Sequence, residues 1–136
     1  MKKHINLIKN TTLLNSLSDE NIQATLDNGN FRVVSYGKKC VVHFDGEPCR
    51  KLEIILTGKV VVERIDESGD LLIISEFYNN DIVGGNLLFS KNSYYPMTVS
   101  TQLPTVILEI DRDVLFKLLC RDSTILLIYL ELISNH

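Results

Sequence analysis

The sequence predicts a mainly β fold, a sandwich or rolled sheet with helices at both ends. Two observations predict it. Between Phe31 and Ile110 short apolar or alternating runs recur at roughly eight-to-twelve-residue intervals, with Gly, Asn, Asp or Pro at the joints. Before Gly29 and after Asp111 the apolar period lengthens to that of a helix. With 136 residues, 45% of them apolar, the chain has enough material for one domain with a real core.

Residues 5–17 carry Leu7, Ile8, Leu13, Leu14 and Leu17, which predicts one or two short helical turns interrupted at Thr11-Thr12. Ser18-Asp19-Glu20 is a helix start, with a capping hydroxyl followed by two acids in the first turn. Asn28-Gly29 ends that helix. From Phe31 the period is two. Strands are predicted over residues 31–36 and 40–44, with Cys40, Val42 and Phe44 on one face and Val41 and His43 on the other. Further strands follow over 52–56 and 59–65, and Ser68-Gly69-Asp70 makes a turn. Residues 71–77 are nearly all apolar, which predicts a strand covered on both faces. Residues 78–89 break the strand rhythm, and strands return over 96–101 and 106–110. Asp111-Arg112-Asp113 and Asp122-Ser123 each open a helix.

The last helix, from Thr124 to Ile133, is apolar nearly all round. A helix with one exposed face carries a polar half. One face can pack on the sheet; the other calls for a partner, and the economical partner is the same helix of a second copy, giving a homodimer. A single buried helix in a monomer is the competing reading.

The stretch Phe44-Asp45-Gly46-Glu47 through Leu52-Glu53-Ile54-Ile55-Leu56-Thr57-Gly58-Lys59-Val60-Val61-Val62 resembles the cyclic-nucleotide-binding domain, written roughly F-x-x-G-E … L-Y-x-I-L-x-G-x-V-x-V. The likeness runs from about Leu13 to the end and points to the sensor domain of a Crp/Fnr-type transcription regulator. It implies a double-stranded β-helix (jelly roll), divided here as 1–29 helical, 30–110 β-roll and 111–136 C-terminal helices. It also implies a dimer helix leading into a helix-turn-helix. No recognition helix lies before His136, so the chain is either a fragment or a sensor without an output domain, and DNA is reached only through a domain it does not contain.

The family's ligand cassette reads F-G-E-x-A-x … R-x-A-x-V. Backbone N–H groups at a short helix start cradle the cyclic phosphate. The Arg adds bidentate charged contacts, and the Glu takes the ribose hydroxyl. Here Val83-Gly84-Gly85-Asn86-Leu87 falls on the first half, with Gly85 in the Glu position. Tyr95-Pro96-Met97-Thr98-Val99 falls on the second, with Tyr95 in the Arg position and Met97 in the Ala position. Charged hydrogen bonds are worth about 1.5–3 kcal/mol each. Losing two weakens binding by about a thousandfold or more, at about 1.4 kcal/mol per tenfold. The expectation is a domain that does not hold cyclic AMP or cyclic GMP tightly. Its candidate ligand-binding residues are Gly84, Gly85, Asn86, Leu87, Tyr94, Tyr95, Pro96, Met97, Thr98 and Tyr129. An aromatic or apolar acid suits that set, with Lys91 or a backbone nest meeting the acid group; Tyr95 and Met97 filling a vestigial pocket is the alternative. Tyr129 either closes the pocket or lies in the dimer seam.

Other function classes find little support. The net charge of −3 offers no basic stripe for phosphates. No apolar run approaches the about 18 residues of a membrane span, and no secretory core follows the basic start, so a cytoplasmic protein is expected. Cys40, Cys49 and Cys120 have no C-x-x-C spacing and read as reduced thiols. A cupin-type enzyme would need several metal-binding His; only His43 falls on a predicted strand, where it reads as a surface or edge-strand residue, while His4 and His136 sit at the ends. Asp45, Glu47, Asp66, Glu67 and Asp70 fall in turns and read as solvated loop ends, with Glu47 structural in the turn motif. No G-x-S-x-G occurs. A non-enzymatic domain without a cofactor is expected: a regulator's sensor with a small-molecule effector, or a stand-alone scaffold of the same fold.

Overall fold

The computed structural model describes residues 2–135; Met1 and His136 lie outside the described residues. Helices α1 (Lys2–Lys9) and α2 (Asp19–Asp27) come first. Eight strands follow: β1 (Arg32–Tyr36), β2 (Val41–His43), β3 (Lys51–Thr57), β4 (Lys59–Ile65), β5 (Leu71–Tyr78), β6 (Ile82–Val83), β7 (Thr98–Thr101) and β8 (Thr105–Asp111). Helices α3 (Arg112–Arg121) and α4 (Ser123–Ser134) close the chain. Two antiparallel four-stranded sheets, ordered β1-β8-β3-β6 and β2-β7-β4-β5, make the mainly β jelly roll with flanking helices.

The helix signals act as read. The Ser18 hydroxyl accepts from the Asn21 N–H, and the Asp122 carboxylate accepts from the Ile125 N–H. Between α1 and α2 the chain runs in turns that bury Leu13 and Leu14. Thr12 and Asn80 exchange two hydrogen bonds of 2.7 Å, fastening this segment to the β5–β6 turn. The strand predicted from residue 96 begins only at Thr98, after Pro96, which has no N–H to give to a ladder. The short β6, inside the stretch read as irregular, pairs with β3 through only two residues.

Two expectations about faces are corrected. Residues 71–77 form a strand, but β5 is the outer strand of its sheet, and Leu71, Leu72, Ile73 and Ile74 are exposed rather than covered on both sides. Val41 and His43 do not share a face: the β2–β7 register shifts between them, so Val41 is exposed and His43 is buried. His43 does lie on an edge strand, but not at the surface.

The connection from β3 of one sheet to β4 of the other turns at Gly58, where φ is +119°. A Cβ there would strike the Thr105 hydroxyl and lie 2.7 Å from its Cα and 2.8 Å from the Pro104 carbonyl oxygen. Both the dihedral and the space demand glycine. Gly58→Ala is expected to cost about 2–5 kcal/mol, the sum of left-handed strain and backbone overpacking, read as an earlier midpoint in urea unfolding.

Candidate functional site

The site forms where two irregular segments zip together. The turn after β2 and the segment before β7 run antiparallel, with Pro48 opposite Tyr94. Gly46 N–H donates to the Tyr95 carbonyl at 2.8 Å, and Tyr95 N–H to the Glu47 carbonyl at 2.9 Å. Cys49 N–H donates to the Ser93 carbonyl. These bonds fix the direction of alternate side chains: Tyr94 is 57% exposed and Tyr95 only 3%.

Inside, the Tyr95 ring lies flat on the His43 imidazole, with centroids 4.1 Å apart and planes 11° apart. His43 bonds Glu47 through Nδ1 and Glu53 through Nε2. Glu53 is fully buried on β3, and its second oxygen, Oε2, meets no protein hydrogen-bond partner among the described residues. The Tyr95 hydroxyl donates to Glu53 Oε1 at 3.4 Å. Across the β3–β8 ladder, Glu53 faces Glu109, which Lys51 holds at 2.9 Å and Arg32 at 3.4 Å. One end of the roll interior is therefore a packed ionic cluster.

Electrostatics follow from this packing. Burial opposes the charge on His43, but the hydrogen bonds and charges of Glu53 and Glu47 outweigh it, so its pKa lies above the ordinary 6.5. Burial, then the Glu53 charge, pushes the Tyr95 phenol far up, so it is a neutral donor. Burial likewise raises the Cys49 thiol, which removes it from the reactive thiolate class.

Gly84 and Gly85 sit under this cluster. Gly84 has φ +79°, and a Cβ on it would lie 2.9 Å from the Tyr95 hydroxyl and 3.0 Å from the Cys49 sulfur. A Cβ on Gly85 would meet Ile82 Cδ1 at 2.5 Å and Ile133 of α4 at 3.3 Å. A side chain at position 85 requires the Ile82 side chain to shift. Residues 85–89 form turns rather than a helix, with the Leu87 and Leu88 N–H groups donating to the Gly84 carbonyl. The Tyr129 hydroxyl, buried on α4, donates to the Gly85 carbonyl at 2.5 Å.

Of the residues singled out in the sequence, Gly84, Gly85, Tyr95 and Tyr129 come together, with Leu87 half-buried beside them. Asn86 and Tyr94 point to solvent. Pro96, Met97 and Thr98 line a different, open groove of about 630 Å³ with Asp45, Glu63, Arg64, Ile65 and Leu71. Tyr129 faces its own chain. Sequence reasoning missed Glu53 and misjudged His43. The signal was there: an acid inside the apolar run Leu52–Leu56 of a strand, and a lone histidine ten residues earlier to meet it.

Comparison with known proteins gives a consistent picture. The sequence pattern described as cyclic nucleotide-binding domain matches residues 33–122. No curated protein matches the chain. Among solved structures, a transcriptional regulator from Thermotoga maritima is similar at 27% identity, over 85% of this chain and 88% of that one, with a TM-score of 0.75. The sensor domain of the transcriptional regulator DNR from Pseudomonas aeruginosa superposes with a TM-score of 0.79 at 19% identity, over 98% of this chain and 88% of that one. A longer structure of the same regulator gives 0.76 at 19% identity, covering 99% of this chain and 59% of that one.

Tyr129→Phe removes the bond to the Gly85 carbonyl and leaves a buried acceptor unpaired. A loss of about 1–3 kcal/mol is expected, measured by urea unfolding.

Proposed function

The chain belongs to the cyclic nucleotide-binding domain family, and on that premise we propose that it is the effector-sensing and dimerising part of a Crp/Fnr-type transcription regulator. Its effector is a small molecule other than cyclic AMP or cyclic GMP, and it is not an enzyme. The observation that carries this is Tyr95. It stands in the position of the family's phosphate-binding Arg, its ring is stacked on His43, and its hydroxyl occupies the space over Gly84. A cyclic phosphate entering there would meet a neutral phenol and the buried Glu53 carboxylate, with no guanidinium to offset its charge. Gly85, pressed between Ile82 and Ile133, supplies no carboxylate for a ribose hydroxyl.

An effector of this domain contacts the backbone at Gly84, Gly85, Asn86 and Leu87 and the Tyr95 ring, with Tyr129 connecting the site to α4. It is uncharged or cationic where it meets Glu53; an acid group would be met farther out, at Lys91. DNA is contacted by a helix-turn-helix outside this chain, in the cytoplasm. Among the described residues no helix is long and apolar enough to cross a membrane.

The dimer reading rests on the two faces of α4. Ile125 and Tyr129 are buried against the protein, while Leu127 is 60% and Leu130 46% exposed. A second copy covers such faces at no cost in new sequence.

Two measurements test the proposal. Isothermal titration with cyclic AMP and with cyclic GMP is expected to show no binding tighter than about 100 μM, following from the two lost charged contacts; low-micromolar binding of either refutes the effector assignment. Sedimentation is expected to give a dimer for the native chain and a monomer for Leu127→Glu with Leu130→Glu. Thermal stability per protomer should hardly change, because both side chains are exposed. A monomeric native chain refutes the dimer.

A further inference from the structure

His43 has a carboxylate at each ring nitrogen. A neutral imidazole carries one N–H, whereas both nitrogens donate only in the imidazolium. Two ionised carboxylates can only accept. The trio is therefore satisfied only while it holds one more proton than its neutral ring and two carboxylates would. When that proton leaves, a ring lone pair faces a carboxylate lone pair, either the buried one of Glu53 or the half-exposed one of Glu47.

The neighbours do not relieve this. From β3 comes Glu53, from the turn before it Glu47, and from the cassette the neutral phenol of Tyr95. Beside them stand Tyr36 of β1, whose phenol burial and then Glu53, Glu109 and Glu47 raise to about 12, and the thiols of Cys40 and Cys49. Glu109 of β8 adds another negative charge to the cluster, and Lys51 and Arg32, the cations nearby, are engaged by it. Asp45 lies in the turn but is exposed. Among the described residues, His43 is the one cationic partner of Glu53.

The cluster also sits at a junction. His43 ends β2 of one sheet and Glu53 lies in β3 of the other, so their bond clasps the two sheets together. Tyr95 rests on the ring and covers Gly84; the next residue, Gly85, is held by Tyr129 of α4. We propose that the Glu47–His43–Glu53 cluster is a proton-operated latch: protonated, it holds Tyr95 and the Gly84–Gly85 turn closed against α4, and deprotonated, it releases them. The latch is a property of this chain alone and stands whether or not an effector exists.

The direction is fixed by linkage. The folded chain binds this proton more tightly than the unfolded chain, because the His43 pKa is raised. The stabilisation is complete below 6.5 and fades as pH climbs through the folded value.

The test is made on the intact chain from about pH 6 to about pH 8.5, where histidine titrates. Ring nitrogen NMR should show both His43 nitrogens protonated at the acid end, with a midpoint above 6.5, the ordinary histidine value. Amide hydrogen exchange, corrected for intrinsic rates, should show about tenfold less protection at the alkaline end in peptides spanning 82–97 and 123–135. His43→Gln should remove the pH dependence from both peptides. Tyr129→Phe should keep it in the first and lose it in the second. A His43 midpoint at or below 6.5, or pH-independent protection in the native chain, overturns the proposal. The NMR titration decides it even where His43→Gln fails to fold.

Discussion

A carboxylate without access to water governs how this molecule is arranged. Glu53 sits in the middle of β3, between strands on both sides, where the neighbouring residues are Leu52 and Ile54. A lone charge at that depth costs several kcal/mol, and removing one partner of a buried pair costs about 3–5 kcal/mol. The fold meets that requirement with the only histidine of β2, brought inward by a register shift. The shift turns His43 inside and leaves Val41 outside. The short edge strand, the acidic turn after it and the flat seat for Tyr95 all follow from supplying Glu53 with its counter-charge.

A second consequence concerns room. The roll interior at this end is occupied by the protein's own groups: a ring on a ring, a carboxylate on either side, and a sulfur over Gly84. Two cassette residues take part in this filling. Tyr95 brings bulk and no charge to a place where an acid is already buried, and Gly85 lets α4 close down until Ile133 touches the turn.

Much of this was legible in the residues. Helix caps, the turns at Gly58 and Gly69 and the limits of β4 follow from local chemistry: a hydroxyl or carboxylate before a helix, positive φ at the two glycines, and a β-branched run between them. Reading Gly85 and Tyr95 as substitutions in a spaced motif rests on the motif alone, and the proposed function carries it. What was not legible depends on neighbours distant in sequence. Whether a strand lies at the middle or the edge of a sheet decides if an apolar run such as Leu71-Leu72-Ile73-Ile74 is buried, and sheet order is not written in a local pattern. The inward turn of His43 depends on a bulge, which shifts every face after it by one residue. Pro96, Met97 and Thr98 lie near Tyr95 in sequence but line another groove, because Pro96 ends the zipped segment.

A filled pocket changes what sensing can mean. In an open hollow a ligand adds contacts; here an entering molecule must first displace Tyr95 from His43, and so expose the Glu53 pair to whatever it brings. Any effector is then linked to the proton held by the cluster, because the same ring reports both events. An effector that binds the released form favours deprotonation. Linkage makes the dependence reciprocal: effector affinity shifts with pH by the factor by which the effector shifts the His43 equilibrium. On the proposed latch, α4 is drawn into the same balance through the Tyr129–Gly85 bond, so the exposed face of that helix is coupled to the protonation of His43.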